Sequence, residues 1–317
     1  MTTTEHLPGD VRPRMLFLRR YRGFTGGQLK WLHYLGHTIA HGHFRPVLHV
    51  TPDSHHAAFD DLLPKGVART GLPADCEALF LAGLDWQLLD AAGQAPGDRP
   101  VINLIQGVRH ADPGETQHQF LIRPALRLCV SQQVAEAITA TGRLNGPVHV
   151  IENGLDLSEL AALRRNERNG RVLILGYKDR MLAQATGAEL QARGIGYDLL
   201  LDRLARGDYL ARLADYDHAI LLPLPQEGFY LPALEAMALG VTVIMPDCIG
   251  ARGFARDGDT CLIAPRDPAA LADAAACLVV DPARATALRQ AGLRISTRHD
   301  LATERRKFSD ILDRIAA

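Results

Sequence analysis

The chain has 317 residues, enough for two domains at the usual ~150 residues each, and its 47% apolar and 22% charged residues exclude disordered, collagen-like and coiled-coil chains. Its 35 Lys and Arg nearly match 36 Asp and Glu, giving a net charge of -1. The broad positive footprint of a nucleic-acid or anionic-membrane binder is therefore absent, and any anion must be held locally. Cys76, Cys129, Cys248, Cys261 and Cys277 are scattered and never form a CxxC pair, which points to a reducing cytoplasm rather than a disulfide framework or zinc ribbon. There is no apolar run of about 18 residues and no signal-like start. These features predict a cytoplasmic protein that does not span the membrane, with peripheral membrane contact still open.

Residues 1–14 are polar, aperiodic and rich in Pro and Gly, and read as a flexible leader. The apolar run 15–18 predicts a buried strand that ends in the glycine loop Phe24-Thr25-Gly26-Gly27, with a helix over 28–40. Strands follow at 47–50, 78–82, 101–105, 126–130 and 148–151, with a helix over 131–141 capped by Ser131. This alternation predicts a first Rossmann-like domain over 15–154 with a mostly parallel sheet. The charged stretch 155–170 reads as a linker. A second series, with strands at 172–175, 197–201, 219–222, 241–245 and 261–263, predicts a second Rossmann-like domain over 171–299, and a final helical segment covers 300–317. Two doubly wound α/β domains facing each other would bind ligand in an interdomain cleft beyond the carboxyl ends of their strands.

The most specific stretch is 221–240, LLPLPQEGFYLPALEAMALG, where a strand runs into a loop and then a helix opened by Pro232. Glu227 stands at the helix entrance and Glu235 about one turn inside, with seven residues between them, so both can border one ligand at the helix N-terminus. A plainer role for Glu235 is to offset the helix dipole, worth about 0.3–1 kcal/mol. Residues 227–240 resemble the retaining GT-B glycosyltransferases of the family 4 type nearly position for position, around an E-G-F-x-L-P-x-L-E-A-M-A-x-G pattern. Residues 150–156, VIENGLD, are similar to the family's I-x-N-G-x-D element, and Phe24-Thr25-Gly26-Gly27 is similar to its glycine loop. The resemblance implies a GT-B fold with the donor site mainly in the second domain, the acceptor site mainly in the first, and a last helix packing back on the first.

Carried over residue by residue, the resemblance implies that Glu235 holds the donor's ribose hydroxyls and Glu227 the transferred sugar. Carboxylates suit vicinal hydroxyls because they only accept, with about four lone-pair sites. The amides of Gly228, Phe229, Tyr230 and Leu231, at the mouth of the helix, would receive the donor phosphates. A helix end supplies at most about 2 kcal/mol, so a cation must help. Lys178 and Arg180 follow the first strand of the second domain and are the candidates, although Gly176-Tyr177 replaces the family's Gly-Arg. Arg252 offers a further phosphate contact. Only 48 residues separate Lys178 from Glu227, as if one strand and helix were missing. In the first domain, Gly26 and Gly27 would let backbone approach phosphate or acceptor, and His110 stands where relatives place a His beside the donor sugar. Arg19, Arg20 and Arg22 would gather an anionic acceptor, or simply face water.

His33, His37 and His41 share one face of the first helix at four-residue spacing. Without an HExxH pattern they do not argue for a metal, and the resemblance implies metal-independent chemistry without a cofactor. Asp215-Tyr216-Asp217 and Asp257-Gly258-Asp259 read as capping and turn chemistry. The implied function is a retaining glycosyltransferase moving a sugar from a nucleoside diphosphate sugar to a glycan, lipid-linked or small-molecule hydroxyl, in glycan or glycoconjugate biosynthesis. The alternatives are a catalytically degenerate GT-B subunit that binds a nucleotide sugar or a partner transferase, and a sugar-nucleotide epimerase.

Overall fold

The structure is a computed structural model and describes residues 11–316; residues 1–10 of the expected leader lie outside the described residues. The chain divides into two compact units, one taking in the chain up to Glu152 and again from Thr303, the other running from Asn153 to Ala302.

The first unit contains β1 (Arg14–Arg19), α1 (Gly26–His41), β2 (Arg45–Val50), α2 (His56–Asp60), β3 (Ala68–Arg69), β4 (Ala78–Ala82), α3 (Asp85–Ala91), β5 (Val101–Ile105), β6 (Leu126–Cys129), α4 (Gln132–Thr139) and β7 (Val148–Val150). Its sheet has the order β3-β2-β1-β4-β5-β6-β7, and every pairing is parallel. A parallel sheet covered on both faces needs unbroken apolar strands, and Met15 to Leu18 of β1 are wholly buried. The strand starts at Arg14, so the leader reading overreached by one residue. Thr25 accepts the Gln28 N–H at 3.1 Å and thereby starts α1 at Gly26, two residues before the expected helix. Trp31, Tyr34, Leu35 and Thr38 form the buried stripe of α1. Ser131 caps α4 as expected, accepting the Val134 N–H at 3.2 Å.

The second unit contains α5 (Leu157–Leu163), β8 (Val172–Leu175), α6 (Arg180–Ala192), β9 (Tyr197–Leu200), α7 (Arg206–Ala214), β10 (His218–Leu221), α8 (Leu231–Ala238), β11 (Thr242–Met245), β12 (Leu262–Ile263), α9 (Pro268–Val280) and α10 (Pro282–Ser296); α11 (Leu301–Ala316) follows. The sheet order is β12-β11-β10-β8-β9, again all parallel. The stretch 155–170 is not a bare linker, because it carries α5. Asp156 caps that helix, accepting from the Ser158 and Glu159 amides at 3.1 and 3.0 Å.

That cap explains part of the N-G-x-D element, and Gly154 explains another. A Cβ on Gly154 would lie 2.7 Å from Leu301 Cα and 2.8 Å from the Asp300 carbonyl, where the Leu155 N–H donates to the His299 carbonyl at 2.8 Å and the Leu301 N–H to the Leu155 carbonyl at 2.9 Å. The element thus has structural work here. Residues from Thr303 on belong to the first unit, where Phe308 of α11 packs edge-on to Tyr34 at 4.8 Å. All five cysteines are free thiols, four of them buried. No helix among the described residues is long and apolar enough to cross a membrane.

Candidate functional site

In the second unit the chain runs from β8 outward to β9 and then returns to β10 on the opposite side of β8. Strand order reverses between β8 and β10, and an open parallel sheet leaves a crevice at such a point beyond its carboxyl ends. The loops there are 176–179 and 222–230. Arg266 ties them together, donating to the Pro223 carbonyl while its Nη1 lies 3.2 Å from Asp179 Oδ2. Asp179 also caps α6 through the Leu182 N–H at 3.1 Å.

Glu227 sits on the second of these loops and Glu235 on α8, which follows it. Glu227, half-buried in the loop, accepts through Oε1 from Lys178 Nζ and from the Leu224 N–H at 3.1 Å. Lys178 Nζ stands 5.2 Å from the Tyr230 ring centroid and 5.9 Å from that of Tyr177. Glu235 is 3% exposed, and its Oε1 lies 2.6 Å from Arg206 Nη1. It occupies the second turn of α8, whose first turn holds no acid, so offsetting the helix dipole does not account for it. Burial, offset in part by Arg203 and assisted by the charges of Glu227 and Glu235, pushes the Tyr177 hydroxyl up to about 12. Burial, Tyr177, Glu227 and Glu235 likewise raise Tyr230 well above its ordinary value. The charges of both carboxylates thus act on the same two phenols.

The helix mouth differs from expectation. The Tyr230 N–H donates to the Gly250 carbonyl at 3.0 Å and the Leu231 N–H to the Phe229 carbonyl at 3.1 Å, so two of the four amides expected to receive phosphate are spent inside the loop. Gly228 is buried, and the Phe229 ring packs against Phe254 and His299 at 5.4 and 5.7 Å. The other expected cations are also engaged. Arg180 pairs with Asp202 and Arg252 with Asp247, the latter at 2.6 Å, in exposed ion pairs, as Lys178 pairs with Glu227 in a less exposed one. Asp217 pairs with Arg289 at 2.9 Å, and Asp257 accepts the Ile263 N–H at 2.8 Å beside a turn at Gly258, φ +70.

In the first unit, Gly27 lies against Gln106, whose side-chain amide donates to the Gly27 carbonyl at 3.0 Å, and Gly26 opens α1. His110 is not a solvated loop residue. It lies in the short 3-10 turn Val108–Ala111, 4% exposed, and its Nδ1 donates to the Gly107 carbonyl at 3.0 Å. Burial, with Arg109 and Arg127 against the Gly107 bond, lowers it to about 4, so at neutral pH the ring is uncharged. Nε2 is then an acceptor, enclosed and without a partner among the described residues. Arg20 and Arg22 converge on Asp53 at the surface, whereas Arg19 packs over Trp31 at 5.7 Å. His37 and His41 meet Glu304 and Asp313 of α11 at 3.1 and 2.9 Å, and His33 meets Lys30 at 2.8 Å.

Motif reading missed Arg206 and Arg266. Their sole sequence signal is position after a strand, or before a helix, at the carboxyl edge of the sheet.

Residues 135–281 match the family model described as glycosyl transferases group 1. That match takes in Lys178, Arg206, Glu227, Glu235, Gly250 and Arg266, but not Arg289, His299, Gly26, Gly27 or His110. None of the curated protein sequences matches the chain. Among solved structures, the chain is similar to Anabaena HepE in complex with UDP-glucose, with TM-score 0.71 and 16% identity over 95% of this chain and 100% of that one. It is also similar to sucrose-phosphate synthase from Thermosynechococcus elongatus, with TM-score 0.68 and 16% identity over 96% and 99%. A glycosyltransferase from Rickettsia africae ESF-5 gives TM-score 0.72 and 11% identity over 96% and 99%. The fold is GT-B, with its two parallel sheets.

Proposed function

We propose that the protein is a glycosyltransferase that moves a sugar from a nucleoside diphosphate sugar to an acceptor hydroxyl with retention of anomeric configuration. One observation carries this reading: Glu227 and Glu235 flank the entrance of α8 beside the β8–β10 reversal, each already bonded to a cation, Lys178 and Arg206. A diphosphate arriving there offers Lys178 a second anion, and the ammonium offsets the charge that develops as the glycosidic bond breaks. Glu227, released in part, turns to the hydroxyls of the transferred sugar, and Glu235 holds the ribose. The departing phosphate oxygen takes the acceptor's proton on the same face, which preserves configuration without a metal. Acceptors of this chemistry are a glycan, a lipid-linked saccharide or a small alcohol, and the setting in this reading is cytoplasmic.

HepE's complex with UDP-glucose makes a uridine donor the first to try. A thermal-shift panel of UDP-, GDP- and ADP-sugars identifies the donor, because ligand at 100 times its Kd adds about 2.7 kcal/mol to stability. With that donor, Glu227→Ala is expected to lower kcat at least tenfold with little change in KM, and Glu235→Ala to raise donor KM at least tenfold. Unchanged turnover in both, in folded protein, ends this assignment. The second reading, a subunit that only binds nucleotide sugar, draws on the five-stranded second sheet and on Tyr177 in place of an arginine. Tight binding with no donor hydrolysis over hours decides for it. Conversion of the donor sugar without an acceptor decides for an epimerase.

A further inference from the structure

The charge of Glu235 is held by a residue outside the acid-pair motif. Arg206 is the first residue of α7 and reaches across to α8, its Nη1 2.6 Å from Glu235 Oε1; its Nη2 lies 3.6 Å from Glu159 Oε2 on α5. The carboxylate is 4% exposed and the guanidinium 21%. Burying a carboxylate that far out of water is costly unless it is paired and hydrogen-bonded. A guanidinium is permanently charged and donates from a rigid fork, here divided between Glu235 and Glu159, so this contact holds Glu235 Oε1 in place. It also occupies Oε1. The remaining oxygen, Oε2, has two lone pairs and can accept from two neighbouring hydroxyls.

A second group points to the same place. Tyr209, three residues along α7, has an enclosed hydroxyl with no hydrogen-bond partner among the described residues. Burial first, and then the charges of Glu235, Tyr177 and Tyr230, hold that hydroxyl well above its ordinary value. It is a neutral, unsatisfied O–H donor on the helix that carries Arg206.

We propose that Arg206 is a positioning residue of the donor site, holding Glu235 by Oε1 so that Oε2 receives the vicinal hydroxyls of the donor's ribose. This rests on the reading above that Glu235 holds the nucleotide. Arg206 touches no reacting atom, so its loss is read in binding rather than in chemistry.

The test uses the full chain and the nucleotide sugar that stabilises the wild type most among UDP-glucose, GDP-mannose and ADP-glucose. Arg206→Met is expected to raise donor KM about tenfold, or to weaken nucleotide Kd equally by calorimetry, with kcat within about threefold. Arg206→Lys keeps the charge but not the fork and is expected to recover part of that loss; should Arg206→Met not fold, Arg206→Lys carries the test with a KM rise of about threefold. The double variant Arg206→Met/Glu235→Ala is expected to bind no worse than Glu235→Ala alone, because both substitutions remove one arrangement. Glu159→Gln, which loosens only the outer contact, is the control and should leave KM unchanged. If Glu235→Ala weakens binding but folded Arg206→Met or Arg206→Lys has wild-type KM, this proposal is overturned and the donor-site reading stands. If Glu235→Ala itself binds normally, the donor-site reading fails.

Discussion

Glu304→Ala is expected to remove about 3–5 kcal/mol from the unfolding free energy. Glu304 of α11 is wholly buried, with Lys30 Nζ at 2.5 Å from Oε2 and His37 Nε2 at 3.1 Å from Oε1. Lys30 is as deeply buried as its partner. A charge pair of that depth costs much desolvation and repays it only while complete, so deleting the carboxylate leaves the ammonium's cost in place and takes its counter-charge away. The surroundings cannot adapt, because Tyr34 and Phe308 pack edge-on at 4.8 Å and Phe80 stacks on Phe17 at 4.7 Å next to them. Urea denaturation followed by far-UV circular dichroism measures the loss. The double variant Lys30→Met/Glu304→Leu, with both charges replaced by apolar groups, is expected to recover most of it. A single-variant loss below about 1 kcal/mol would mean that apolar packing alone holds α11 in place.

Gly250→Ala is expected to lower both stability and donor turnover. The loop carrying Glu227 lies directly on Gly250: an added Cβ would stand 2.6 Å from Phe229 N, 2.7 Å from the Glu227 carbonyl oxygen and 2.7 Å from the Gly228 carbonyl carbon. All three are backbone atoms, so no rotamer change relieves the overlap. The same junction holds two hydrogen bonds, Tyr230 N–H to Gly250 O and Ile249 N–H to Pro225 O, both at 3.0 Å. Forcing a methyl group in costs about 1–3 kcal/mol. The loop must move outward by an ångström or so, enough to lower turnover about a hundredfold in the folded fraction. Paired melting and donor-turnover measurements check this; full activity in a stable Gly250→Ala protein would mean that Glu227 need not sit where this loop holds it.

These expectations separate what the chain's order reveals from what it hides. The strands were legible because each buried parallel strand needs an unbroken apolar run, as at Met15 to Leu18 and Val172 to Leu175, all at most 1% exposed. Capping at Ser131 was legible because it is local, three residues from donor to acceptor. The helix α5 was missed because it is only seven residues long and was read together with the charged stretch 164–170 that follows it, although Asp156 caps its start. The availability of the helix-mouth amides was misjudged because Tyr230's partner is Gly250, twenty residues along the chain.

The sequence by itself determined two parallel α/β units and placed Glu227 and Glu235 about the mouth of α8, since residues eight apart across one loop and helix start are bound by chain geometry. It also determined that an anion must be met locally, since net charge leaves no field to draw one in. Tertiary structure alone decided which cation each acid keeps: Lys178 for Glu227, from the far side of the strand reversal, and Arg206 for Glu235, from α7. It likewise decided that Lys30 and Glu304, more than 270 residues apart, share one buried pair. Partners of this kind are chosen by which strand lies beside which and by what water is excluded. Neither leaves a periodic trace in the order of residues.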